Sequence, residues 1–201
     1  MIDLLDKAAA GMDYAAYRTL LDQVVAAGAT TGPEQSDKRI NATKLNQARM
    51  RRLDKTVQLS AALVDTLHRT IPQTWIVISE AWCGDAAQNL PALAAMANEA
   101  PHITLRILLR DEHLDLMDRY LTGGSRSIPK LIAVDALGQE LFVWGPRPAE
   151  PHRMVIANKA LPPAEQLPYE QLTETVHRWY NADHTAALQQ EILEKLVAME
   201  R

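Results

Sequence analysis

Two short apolar runs, separated by one helix-length of chain, constrain this sequence more than any other feature. Thr74-Trp75-Ile76-Val77-Ile78-Ser79 and Ile103-Thr104-Leu105-Arg106-Ile107-Leu108-Leu109 are strand-sized and bulky. The segment between them, about residues 84–98, patterns as a helix. A strand, a helix and a strand in that order close as a right-handed crossover, which makes the strands parallel. A short helix over about residues 112–120 then leads into Gly123-Gly124-Ser125. Lys130-Leu131-Ile132-Ala133-Val134 and Glu140-Leu141-Phe142-Val143-Trp144 flank a turn at Asp135-Ala136-Leu137-Gly138, and should pair as an antiparallel hairpin. Residues 73–145 therefore read β-α-β-α-β-β, an α/β unit with a central mixed sheet.

The flanks are helical. Tyr14, Tyr17, Leu21 and Val24 recur at helical steps and end at the loop Gly28-Ala29-Thr30-Thr31-Gly32-Pro33. Met50, Leu53, Val57, Val64 and Leu67 predict one further helix, with Ser60 in its gap and Pro72 at its close. A helix is predicted around residues 150–160. Leu172, Val176 and Trp179, then Leu188, Ile192, Leu196 and Met199, carry helical patterning to the end. No glycine follows Gly145. The expected division is a helical extension over 1–71, a core over 72–161 and a second helical extension over 162–201.

Composition removes several function classes. The 201 residues are enough to bury a core without disulfides. Acidic side chains outnumber basic ones 25 to 21, which argues against wholesale nucleic-acid binding. No apolar stretch is long enough to span a membrane, and the N-terminus does not read as a signal peptide. One cysteine, Cys83, allows neither an internal disulfide nor a cysteine-rich zinc site. The six histidines show no metal-ligand spacing and read as surface or capping residues. These features together predict a cytoplasmic protein in a reducing compartment. Residues 38–55 hold seven basic side chains against Asp54 alone. Without interleaved aromatics they read as a solvated helix face, or one docked on the core.

The chemistry concentrates at Glu80-Ala81-Trp82-Cys83-Gly84-Asp85-Ala86-Ala87, the first strand-to-helix junction. A cysteine at a helix N-terminus faces unpaired N–H groups and the positive end of the helix dipole, and both favour a thiolate. Partial exposure and a pKa below the free value of about 8.5 are therefore expected. Asp85 reads as a solvated first-turn acid.

Trp82-Cys83-Gly84-Asp85 resembles the Trp-Cys-Gly-X-Cys active site of the thioredoxin superfamily. Pro91 stands eight residues after Cys83, where that family has a proline in its active-site helix. Ser127-Ile128-Pro129 precedes a strand as the family's cis-proline loop does, and Gly145 ends the last strand where thioredoxins have a glycine. The helical flanks look like those of a bacterial thioredoxin-like group. Two positions depart from the pattern: Ala86 replaces the second cysteine, and Val77 stands where thioredoxins carry a buried Asp. An internal dithiol cycle is excluded.

The resemblance implies a thioredoxin-like fold with extra N- and C-terminal helices. It implies one-cysteine chemistry: Cys83 attacks a protein or glutathione disulfide, and an external thiol resolves the mixed disulfide. Glutathione would then be a co-substrate, with no bound cofactor or metal. Pro129 and Ile128 would hold the substrate backbone, and Arg126 and Lys130 would meet a glutathione carboxylate. Trp82 would shield the sulfur. The alternative is a non-catalytic module that binds a peptide or protein along the same face.

Overall fold

A computed structural model describes residues 2–200 of the chain, so the outermost residues of the two expected extensions, Met1 and Arg201, lie outside the described residues. The helices α1 (Leu4–Ala9), α2 (Tyr14–Ala26), α3 (Asp37–Thr56) and α4 (Ala61–Arg69) precede the first strand, β1 (Gln73–Ser79). Then follow α5 (Gly84–Glu99), β2 (Ile103–Leu109), a 3-10 turn and the short α6 (Leu114–Met117), β3 (Lys130–Val134) and β4 (Glu140–Trp144). The helices α7 (Ala149–Ala160), α8 (Tyr169–Asp183) and α9 (Ala186–Met199) complete the order.

The four strands form one mixed sheet in the order β2-β1-β3-β4. β1 and β2 are parallel in the register Gln73↔Ile103 to Ser79↔Leu109. β3 runs antiparallel to both β1 and β4, with a bulge at Ala133/Val134. Asp135 builds the hairpin turn: its Oδ1 accepts from Leu137 N at 2.8 Å and from Gln139 N at 2.9 Å. β1 and β3 are buried along almost their whole length, as strands covered on both faces must be. Met12 exchanges backbone hydrogen bonds with Ile107 at 2.8 and 2.9 Å, covering the open edge of β2.

The flanking helices share this core. One buried apolar cluster runs from Leu4 and Leu21 through Leu63, Leu93 and Ile132 to Leu188 and Leu196. α3 and α4 pack on α5, α9 packs on α4 and β4, and α7 packs on α8. No described helix is long and apolar enough to cross a membrane.

Three helix boundaries differ from the sequence pattern. The single helix expected across Met50 to Leu67 is two, α3 and α4. Val57 is extended, and Ser60 is the N-cap of α4, its Oγ accepting from Leu63 N at 3.4 Å. Gln189 of α9 holds the break open, accepting from Ser60 N at 2.8 Å and donating to the Gln58 carbonyl at 2.9 Å. The serine in the pattern's gap is a cap, which is its commonest helical role. The helix expected over 112–120 shrinks to the 3-10 turn Arg110–Glu112 and the four residues of α6. The C-terminal helical pattern breaks at His184 and Thr185, whose φ values are +51° and +68°.

The loop facing the β1–α5 junction is shaped by tight backbone contacts. The Ile128–Pro129 and Gly145–Pro146 peptide bonds are cis. Gly145 has φ of +112°, and a Cβ there would collide with the Pro129 carbonyl oxygen, so only glycine fits.

Candidate functional site

The candidate site is assembled at the end of β1, where the chain turns into α5. Glu80 is fully buried at that turn. Its carboxylate accepts from the Thr31 hydroxyl and, at 2.9 Å, from the Asp111 backbone N–H. The Thr31 hydroxyl also accepts from Ala81 N at 2.9 Å, and Asn46 of α3 donates to the Ala81 carbonyl at 2.8 Å. Burial raises the Glu80 pKa in spite of those donors. The loop before α3, the start of the post-β2 turn and α3 itself therefore all fix the backbone that presents Trp82 and Cys83.

Cys83 is the N-cap of α5, where its Sγ accepts from Ala86 N at 3.4 Å and donates to the Ile128 carbonyl at 3.2 Å. Its position is the expected one; its environment is not. The residue is only 7% exposed, and burial, followed by the charge of Asp85, pushes its pKa up to about 12. Backbone donors from the helix N-terminus and the Arg147 charge act the other way and are outweighed. The expectation of a partly exposed, acidified thiol is thus reversed: desolvation exceeds what one helix terminus supplies. Ala86 is buried beside the sulfur, where the resembled motif has its second thiol.

Asp85 is not a solvated acid. Arg147 grips its Oδ2 through Nε at 3.0 Å and Nη2 at 2.6 Å, and the Tyr180 hydroxyl donates to its Oδ1 at 2.8 Å. Tyr180 also accepts from Asn89 at 3.0 Å, so α8 is tied to the first turns of α5 by a closed polar network.

Trp82 stands between two cations, with the Arg39 guanidinium 4.2 Å and the Arg110 guanidinium 4.8 Å from its ring. Its Nε1 is buried with no acceptor among the described residues. Gly84 brings α8 close. A Cβ at this position would lie 2.8 Å from the His177 ring and 3.7 Å from Arg49 Nη1. Gln88 Nε2 donates to His177 Nδ1 at 3.3 Å, which requires an unprotonated Nδ1. Burial and the nearby Arg49 lower the His177 pKa to about 4, so this ring is neutral and half-buried rather than a surface residue.

A recess of about 210 Å³ opens beside Cys83, lined by Trp82, Asp85, Arg110, Arg126, Ile128 and Tyr169 among others. The structure thus brings together Trp82, Cys83, Gly84, Asp85, Arg126 and Ile128. Lys130 is elsewhere. Its side chain is buried and its Nζ donates to Thr122 Oγ1 at 2.6 Å and the Gly145 carbonyl at 3.2 Å. It braces the Gly145 strand end, and the expected role in meeting a carboxylate fails because the side chain turns away from the recess. Pro129 is buried behind Ile128 and does not line the recess. Arg126 lines it but is held by Asp118 through two hydrogen bonds at 2.6 and 2.8 Å.

A family model described as thioredoxin matches residues 32–161. The chain belongs to the thioredoxin family. The match takes in α3 and α4 as well as the sheet, so the helices that support the Trp82 corner are part of the thioredoxin match. Among solved structures, a protein of unknown function from Pseudomonas aeruginosa superposes with a TM-score of 0.64 at 19% identity, covering 98% of this chain and 99% of that one. An HIV epitope scaffold gives a TM-score of 0.62 at 19% identity, over 98% and 99% of the two chains. These likenesses establish the fold over nearly the whole chain. No curated protein matches significantly in sequence.

This thioredoxin-fold site includes residues that the sequence reading missed: Arg147, Tyr169, His177 and Tyr180, together with Arg49 and Arg110. Four of these six come from the segment after β4, far from Cys83 in sequence. The one local signal is Gly84, whose missing side chain leaves room for a neighbour at the helix start.

Proposed function

We propose that this chain is a thioredoxin-fold binding protein that takes an extended protein segment into the recess beside Cys83, with the cysteine kept as a neutral thiol on its wall. The observation that carries this reading is the state of Cys83: buried, with its pKa pushed up to about 12 and its Sγ–H donating to the Ile128 carbonyl. Disulfide exchange requires the thiolate. A thiol whose pKa is pushed this far up is almost wholly protonated at neutral pH. The recess is lined by groups a peptide would meet instead: the Trp82 side chain, Ile128, and the Arg110 and Arg126 guanidiniums, which Asp111 and Asp118 hold in place.

A second reading rests on a different observation, the N-cap position of Cys83 with Ala86 N aimed at its sulfur. In that reading the Cys83 thiolate attacks a protein or glutathione disulfide, forms a mixed disulfide and expels the other half as a thiolate. Free glutathione then attacks the mixed disulfide, becomes part of a new disulfide and returns the Cys83 thiolate. This needs α8 and the Ile128 loop to open far enough to solvate the sulfur.

The pH dependence of Cys83 alkylation by iodoacetamide separates the two. The binding reading expects a midpoint well above the free-cysteine value of about 8.5. The variant Asp85→Asn should move the midpoint down, because the Asp85 charge is the second cause of the raised value. A wild-type midpoint at or below the free value, with a glutathione adduct at Cys83 detected by intact mass, would overturn the binding reading in favour of exchange.

A further inference from the structure

A second recess, of about 460 Å³, shares Trp82, Gly84 and Tyr169 with the first and lies between α3, Gly84 and α8. Volumes of this order hold small organic ligands. We propose that it binds an organic carboxylate with a flat apolar body, the carboxylate pairing with Arg49 and the body lying against Leu45 and Tyr169.

Most cations around the two recesses are already paired. Arg39, Arg110, Arg126 and Arg147 all surround the two recesses, and each has a carboxylate partner: Glu34 at 2.9 Å, Asp111 at 2.7 Å, Asp118 at 2.6 Å and Asp85 at 2.6 Å. Lys38 on the rim has Glu170 at 3.7 Å. Arg49 lines the recess with no carboxylate within 4.0 Å among the described residues. Its Nη1 donates to the Asn46 side-chain carbonyl at 2.9 Å. The nearest relevant acid, Asp85, is already taken by Arg147 and Tyr180.

Arg49 also stands where a cation is disfavoured. Its guanidinium approaches Gly84, the first residue of α5, so it faces the positive end of a sixteen-residue helix. Burial, and then the like charge of Arg52, lower the Arg49 pKa. His177, beside it, is kept neutral. Beyond its bond to the Asn46 side chain and the attraction of Asp85, which Arg147 already holds, Arg49 has no anionic partner among the described residues. A carboxylate paired with Arg49 would meet a guanidinium that no carboxylate of the described residues occupies.

The walls decide what the anion is attached to. Leu45 is 52% exposed and Tyr169 62% exposed, and both stand on this recess, with Ala42 and the Trp82 ring beside them. Lys38 lies 3.8 Å over the Tyr169 ring and Arg39 over Trp82, yet an inorganic anion would still leave Leu45, Ala42 and the rest of Tyr169 wet. A ligand with an aromatic or branched aliphatic body would cover them. The inference does not depend on the state of Cys83, which faces the other recess.

Two-dimensional NMR of the intact, ¹⁵N-labelled protein tests it, with benzoate as the probe and benzyl alcohol as its neutral counterpart. Benzoate should shift the Gly84 and Thr173 amides saturably at millimolar concentration, and benzyl alcohol should bind at least about tenfold more weakly. Arg49→Gln should weaken benzoate by a similar factor. Ala42→Leu retains Arg49 and fills the recess, so it should also abolish binding, which keeps the test decisive if Arg49→Gln fails to fold. The proposal is overturned if benzoate gives no saturable shifts at Gly84. Equal binding of benzyl alcohol, or binding that survives Ala42→Leu, overturns it as well.

Discussion

The two recesses that share the Trp82 wall differ in how their charges are balanced. On the Cys83 side every acid has a cation: Asp85 has Arg147, Asp111 has Arg110 and Asp118 has Arg126. On the other side Arg49 has only an amide oxygen. The first recess is electrostatically closed, and its thiol stays neutral because burial, and then the Asp85 charge, outweigh the Arg147 charge and the helix N–H donors. The second keeps an unspent cation. Position at a helix N-terminus is common to both, so position alone does not decide reactivity. At Cys83 burial decides it, with the charge of Asp85 adding to it.

The largest expected effect comes from breaking the closed side. Arg147→Ala removes both hydrogen bonds to Asp85, a carboxylate only 13% exposed. Stripping one partner from a nearly buried pair costs about 3 kcal/mol. Urea denaturation should show that loss. The double variant Asp85→Asn with Arg147→Ala should recover much of it, because no charge is then left stranded. The Cys83 alkylation midpoint should rise in the single variant, since Arg147 is one of the groups holding it down. A single variant as stable as the wild type would mean that the pair does not organise this recess.

His177 lines the Arg49 recess and gives the next effect, which depends on pH. Its folded pKa is lowered to about 4 from an ordinary value of 6.5, by burial first and then by Arg49. Between those values the unfolded chain binds more protons, so stability rises with pH across the window. The contribution is complete above about pH 6.5 and is lost as pH falls towards 4. With the ring partly exposed, its size is about 2 kcal/mol. His177→Gln should flatten the stability profile between pH 6.5 and 4. A profile equally steep in the variant would assign the slope to other groups.

The sheet was largely legible because its signals are local. Ile103–Leu109, Lys130–Val134 and Glu140–Trp144 are the strands the apolar runs predict, and β1 gains only Gln73. The Cys83 motif lay in one stretch of chain, so its position at the head of α5 was legible too. Its surroundings were not, because they are long-range. The raised Cys83 pKa reflects burial, with Ile128 against the sulfur, and the charge of Asp85, which together outweigh the opposing charge of Arg147. Arg147 and Tyr180 follow Asp85 by 62 and 95 residues, and no periodicity links them to it. Lys130 was misplaced for the opposite reason. It is adjacent to the cis-proline loop in sequence, yet it begins a strand, and its side chain turns to Thr122 and Gly145. The break between α3 and α4 was written in Ser60, but its other half, Gln189, comes from the last helix.

The smallest effect separates the stability of α8 from the sites it walls. Tyr169, Thr173 and His177 of α8 border the Arg49 recess, and α8 joins α9 through His184 and Thr185, both left-handed. With no glycine after Gly145, two side-chain-bearing residues adopt a conformation that costs about 1 kcal/mol each. His184 is exposed and caps the end of α8, the position where glycine is favoured. Thr185 is different: it is buried, and its hydroxyl accepts from Gln189 at 3.0 Å, so its conformation is held by a bond. His184→Gly should therefore raise stability by about 1 kcal/mol, with a melting temperature higher by roughly 2–4 °C. Thr185→Gly should gain less or lose, because the Gln189 contact that pins the α3–α4 break goes with it. Neither the Cys83 alkylation midpoint nor the benzoate shifts at Gly84 should move in His184→Gly. If either moves, the α8–α9 turn sets the position of His177 and Tyr169 over Gly84, and the two recesses are coupled through α8 rather than divided by Trp82.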